Sequence, residues 1–158
     1  MDWWSELWLN EGFATWVGWL AVDHLYPEHQ CWSQFVAEAM QTAQNLDSLR
    51  SSHAVEVPVK DALQVEQVFD AISYLKGSSV IRMLAAHLGL GTFLKGIAVY
   101  LREHAYSKSS RTPPSWCILT EIGNATTNDL WAALSRESGK DVNSFMVCSF
   151  ERVDTMSS

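Results

Sequence analysis

From Asn10 to about Tyr26 apolar side chains recur at the spacing of one helix face, with Phe13, Trp16, Val17, Leu20 and Ala21 in register, and Pro27 stops the run. A chain with this run must bury a helix. Trp3, Trp4 and Trp8 stand directly ahead of it, so the helix is entered through a hydrophobic wall. Into that wall the sequence sets a carboxylate, Glu11, within Asn10-Glu11-Gly12. A buried charge is costly unless it is paired or bound to a metal. Glu11 therefore either turns outward as a first-turn carboxylate favoured by the helix dipole or ligates something.

The rest of the chain reads as further helices. Pro27 suits the first turn of a new one, and Trp32, Phe35, Val36, Ala39, Met40 and Ala43 carry the period to about Leu49. Residues 50–61 read as an extended loop in which Pro58 argues against a central strand. A short helical piece is expected over 62–67. Ser73 then reads as the N-cap of a helix through Leu88, with Val80, Ile81, Leu84 and Leu88 on its buried face and Gly89 and Gly91 closing it. The next helix is expected from Thr92 to His104, with Phe93, Ile97, Tyr100 and Leu101 inward. Residues 107–122 break every pattern around Pro113-Pro114 and read as a surface loop. Thr126-x-x-Asp129 resembles a capping box, Leu130, Trp131 and Leu134 lead to a stop at Gly139, and Asp141 starts one more helical turn or two. The tail from Val147 has no convincing period and is expected to fray.

Composition narrows the function classes. Hydrophobic residues make up 47% of the 158 and charged ones 18%, against roughly 25% charged in a typical soluble domain. That shortfall, with eight tryptophans, implies apolar surface that expects a packing partner. A net charge of −7 without any basic stripe excludes phosphate-driven nucleic-acid binding. Cys31, Cys117 and Cys148 are odd in number and widely spaced, which supports neither a disulfide framework nor a thiolate zinc site and fits a reduced, cytoplasmic setting. No run of about eighteen apolar residues appears, so no membrane span is expected in this chain.

Trp3-Trp4-Ser5-Glu6-Leu7-Trp8-Leu9-Asn10-Glu11-Gly12-Phe13-Ala14-Thr15-Trp16 resembles the segment that carries the third zinc ligand of the gluzincin-type zinc aminopeptidases, the family of the puromycin-sensitive and membrane alanyl aminopeptidases. The resemblance implies that Glu11 is a metal ligand. A second similarity lies at Tyr74-Leu75-Lys76-Gly77, where the family's Tyr-x-Lys-Gly motif implies that Tyr74 is catalytic, donating a hydrogen bond to the oxyanion of the tetrahedral intermediate. Read alone, Tyr74 is an amphipathic residue of a core edge. Glu6, Asp70 and Lys76 receive no role beyond support of these two, and Arg82 reads as a solvated or paired charge.

The family's pattern places His-Glu-x-x-His eighteen residues ahead of the ligand Glu, which here falls upstream of Met1. Both histidines and the general base are therefore expected to be missing, as is the Gly-x-Met-Glu-Asn motif that holds a substrate's free amino terminus. His24, His29, His53, His87 and His104 include no i, i+4 pair that would replace them. The resemblance thus implies a mainly α chain, a partial thermolysin-like catalytic domain of packed helices with a long irregular loop. It further implies peptide substrates, one zinc in the full-length family with an incomplete site here, and an N-terminal catalytic part that is absent and would be the chain's packing partner. The isolated chain is expected to be inactive. Residues 1–106 and 123–146 follow the family, 107–122 stand as an off-family insertion and 147–158 as an off-family tail, both read as translated introns. The alternative is a non-catalytic helical interaction module or pseudoenzyme.

Overall fold

The computed structural model describes residues 7–49, 52, 54–55, 71–104 and 126–150. The Trp3-Trp4 pair, Glu6, Pro58, the 62–67 piece, Asp70, the 107–122 stretch and residues 151–158 lie outside the described residues. Among the described residues there is no strand, and no single helix is long and apolar enough to cross a membrane.

Helix α1 (Leu7–Leu25) starts three residues ahead of the expected Asn10, because Leu7, Trp8 and Leu9 are themselves buried. Its inner face follows Trp8, Gly12 and Trp16, one helical turn apart, with Phe13 and Leu20 packed alongside. Val17, expected inward, is 38% exposed, and Ala21 is exposed too. The helix is apolar on nearly every side, so two faces satisfy the same period and tertiary contact selects one of them.

Pro27 opens a separate 3-10 turn, Pro27–His29, rather than the next helix. Gln30 then adopts a left-handed conformation (φ 48°), and α2 begins at Cys31. This helix runs through Cys31–Gln34, a π-helical stretch Phe35–Met40, and Gln41–Asp47. Wider π turns bring every fourth residue to one side. Cys31, Phe35, Ala39 and Ala43 are accordingly buried, while Val36 is 44% exposed.

Helix α3 comprises a π-helical turn, Ile72–Lys76, followed by Gly77–Leu88. Ser73 is not its N-cap: the residue lies inside the π turn and is fully buried. The chain turns by 112° at Gly89, whose φ of 83° suits only glycine, and α4 (Leu90–Glu103) follows at once, taking Gly91 into its first turn. Phe93 and Ile97 face inward as expected, whereas Leu101 is 58% exposed.

Helix α5 (Thr127–Ser138) carries the expected capping box, with Thr126 Oγ1 accepting from the Asp129 amide at 3.4 Å and Asp129 Oδ2 accepting from the Thr126 amide at 2.8 Å. Gly139 ends it in a left-handed conformation. Asp141 Oδ1 accepts from the Ser144 amide at the start of α6 (Val142–Phe150), which is helical from Val147 to Phe150, while the rest of the tail lies outside the described residues.

One core joins α1, α3, α4, α5 and α6 around Trp8, Trp16, Leu84, Phe93, Trp131 and Leu134. Trp16 meets Phe93 edge-on at 5.2 Å, and Trp8 lies 6.4 Å from Trp131. Arg82 is a paired charge: its guanidinium lies over the rings of Trp32 (4.9 Å) and Phe35 (5.2 Å), holding α3 to α2 through cation–π contact.

Candidate functional site

Helices α1 and α3 meet backbone to backbone. A Cβ placed on Gly12 would stand 2.6 Å from the carbonyl carbon of Gly77, 2.8 Å from its Cα and 2.8 Å from the Ser78 nitrogen. One placed on Gly77 would stand 3.0 Å from the Trp8 carbonyl oxygen and 3.3 Å from the Gly12 Cα. At Gly12 only glycine allows this approach, and at Gly77 a side chain would fit tightly. Each glycine closes one of the two motifs, Asn10-Glu11-Gly12 and Tyr74-Leu75-Lys76-Gly77, so the crossing sets the chemistry-bearing residues of both motifs near each other.

Glu11 and Tyr74 are both half-buried at this crossing. The Tyr74 phenol and the Glu11 carboxylate are neighbours, close enough for charge and hydrogen bonding to couple them. Partial burial, then the negative charge of Glu11, then hydrogen bonding with it raise the Tyr74 pKa above the ordinary tyrosine value. The phenol therefore stays protonated across the neutral range and is available as a hydrogen-bond donor. Neither of the two readings of Glu11 from sequence foresaw this partner.

The turn that presents Tyr74 is fixed from several directions. Its π-helical winding leaves the Leu75 carbonyl to two hydroxyls, Ser78 Oγ at 3.0 Å and Ser79 Oγ at 2.7 Å. Lys76 Nζ reaches Asp47 Oδ1 at 2.5 Å and so ties the turn to the end of α2. A single π turn at a functional residue is a recurrent device for aiming a side chain out of the regular helical register.

A catalytic zinc takes three protein ligands, such as two histidines and a glutamate. Among the described residues no three His, Cys, Asp or Glu side chains converge. Glu11 offers one carboxylate, chemically suited to zinc but not sufficient for it. The described residues do not by themselves fit a metal ion, and Glu11 and Tyr74 set a carboxylate against a phenol.

Three participants escaped the sequence reading. Gly12 and Gly77 carried a signal, since a glycine inside a helix is unfavourable by about 1 kcal/mol relative to alanine and so asks for a reason. Asp47 carried none, because its partner Lys76 lies on another helix.

Comparison with known proteins bears on this geometry. Residues 1–148 match the model of the peptidase family M1 domain. The chain is 51% identical over 146 residues to the alanine/arginine aminopeptidase of Saccharomyces cerevisiae, covering 92% of this chain and 15% of the yeast protein. It is 49% identical to Aminopeptidase M1 of Arabidopsis thaliana over 92% of this chain and 15% of that protein, and 47% identical to Aminopeptidase M1-A of Oryza sativa subsp. japonica with the same coverage. The chain thus spans about 15% of the length of these relatives.

Proposed function

The chain belongs to peptidase family M1, and from that premise we propose that it contributes one wall of the catalytic centre of a zinc aminopeptidase that removes N-terminal residues from peptides. The observation that carries the reading is the meeting of Glu11 and Tyr74 across the Gly12–Gly77 crossing. Tyr74 takes the part of the oxyanion donor: a neutral phenol held next to the reaction centre gives a hydrogen bond that strengthens as the carbonyl oxygen gains charge. Glu11 is assigned as a metal ligand. The remaining ligands and the general base come from residues other than those described, so no catalytic step is ascribed to a metal held by this chain alone.

The test is a chimera in which this chain replaces the 146 matched residues of the yeast alanine/arginine aminopeptidase. It is expected to hydrolyse amino-acid arylamides, to lose about a hundred-fold in kcat on Tyr74→Phe, and to lose zinc content on Glu11→Ala. A folded chimera without activity would overturn the reading, and an unchanged rate in Tyr74→Phe would remove Tyr74 from the mechanism. The 158-residue chain by itself is expected to bind no stoichiometric zinc; tight binding would contradict the account of the donor set.

A second reading, a non-catalytic interaction module, draws on the exposed apolar stripe of α1, where Val22 is 43% and Leu25 67% exposed. Activity of the chimera separates the two, since an interaction module has no reason to supply a working oxyanion donor. We also propose a cytoplasmic setting, supported by Cys31, a buried free thiol; recovery of the protein in a secretory fraction would count against it.

A further inference from the structure

Resting on that reading of the site, we infer that Gly12 and Gly77 are positioning residues, a backbone contact whose closeness sets the Glu11 carboxylate against the Tyr74 phenol. At Gly12 all three nearest atoms are backbone atoms of Gly77 and Ser78, at 2.6 to 2.8 Å, and no rotamer change relieves them. The helices would have to separate by about 1 Å, a displacement of the size that costs on the order of a hundred-fold in rate when it falls on a catalytic group. At Gly77 the nearest atom is the Trp8 carbonyl oxygen at 3.0 Å, so the same substitution there opens the crossing less.

Glycine as such does not explain the placement. Gly18 lies on the same helix with nothing within 4 Å of a would-be Cβ. Gly96 is as tightly covered as Gly12, but by Leu134 Cδ2 at 2.6 Å, the mobile end of a side chain, and it sits where α4 packs on α5. Glu11 directly precedes Gly12, and Tyr74 stands about one turn before Gly77. The tight backbone contact and the carboxylate–phenol pair therefore occupy one crossing, and opening it separates the pair.

Gly96→Ala serves as the remote control. In the full chain, Glu11→Ala and Tyr74→Phe are combined as a double-mutant cycle, read by urea denaturation, in the wild-type, Gly12→Ala and Gly96→Ala backgrounds. The two substitutions are expected to be non-additive in the wild type and in Gly96→Ala, and additive in Gly12→Ala. Non-additivity that survives in Gly12→Ala overturns the inference.

In the chimera, kcat is expected to fall about a hundred-fold in Gly12→Ala, less in Gly77→Ala, and not at all in Gly96→Ala, with KM little changed. Equal kcat losses in Gly12→Ala and Gly96→Ala at matched loss of Tm would make the role merely structural and overturn the inference. If Gly12→Ala does not fold, Gly77→Ala against Gly96→Ala decides by the same criterion. A folded but inactive wild-type chimera sinks the aminopeptidase reading instead, and the cycle in the full chain still decides the positioning role.

Discussion

Removing the ammonium of Lys76 should measure how firmly the Tyr74 turn is tied down. Lys76 Nζ and Asp47 Oδ1 are 2.5 Å apart, and the two side chains are 17% and 34% exposed. An exposed pair contributes about 0.2–1 kcal/mol, whereas deleting one member of a fully buried pair costs about 3–5 kcal/mol. This pair lies between those regimes, and a hydrogen bond to a charged group contributes about 1.5–3 kcal/mol. Lys76→Met, which keeps the apolar stem, is therefore expected to destabilise the chain by about 1.5 kcal/mol, a fall in Tm of about 3–6 °C for a domain of this size. A cycle with Asp47→Asn, followed by urea denaturation at low and at molar salt, isolates the coupling. Because the pair is largely shielded from solvent, the coupling should persist at molar salt. A coupling energy within about 0.3 kcal/mol of zero would refute the reasoning and return Lys76 to the class of surface charges.

Two further outcomes follow from other parts of the fold. The hydrogen bond from the Thr126 amide, reinforced by its hydroxyl, holds the Asp129 carboxyl below the usual aspartate range. A depressed carboxylate pKa contributes stability that is present above the ordinary aspartate value of about 3.9 and lost as pH falls through the lowered value. Asp129→Ala should thus cost about 1 kcal/mol near neutral pH, with the penalty shrinking under acid; urea midpoints that differ equally at both pH values would exclude the cap as its source. On α1, Ala14, Val17, Gly18, Ala21, Val22 and Leu25 form an exposed apolar stripe at helical spacing. Replacing Val22 and Leu25 by lysine should reduce self-association in light scattering while changing stability by no more than about 0.5 kcal/mol. A core-sized loss of Tm would show that these side chains are not free.

What the sequence disclosed divides along a physical line. Features set by neighbours within one turn were legible: the Thr126–Asp129 box, the Gly139 stop and the interior positions of Phe93, Ile97 and Leu134 follow from local hydrogen bonding and the 3.6-residue period. The period fails where a helix is apolar all round, as in α1, or where π turns alter the step, as in α2, because it then fits more than one face. Contacts between helices, Lys76 with Asp47 and Glu11 with Tyr74, leave no trace in spacing at all. Two short motifs in the sequence nevertheless mark the two helices that meet at Gly12 and Gly77. Each ends in the glycine that lets its helix touch the other, so Asn-Glu-Gly and Tyr-x-Lys-Gly record a geometry together with a chemistry. A helix bearing Glu11 beside alanine instead of Gly12 would keep the carboxylate and lose the contact that gives it a partner.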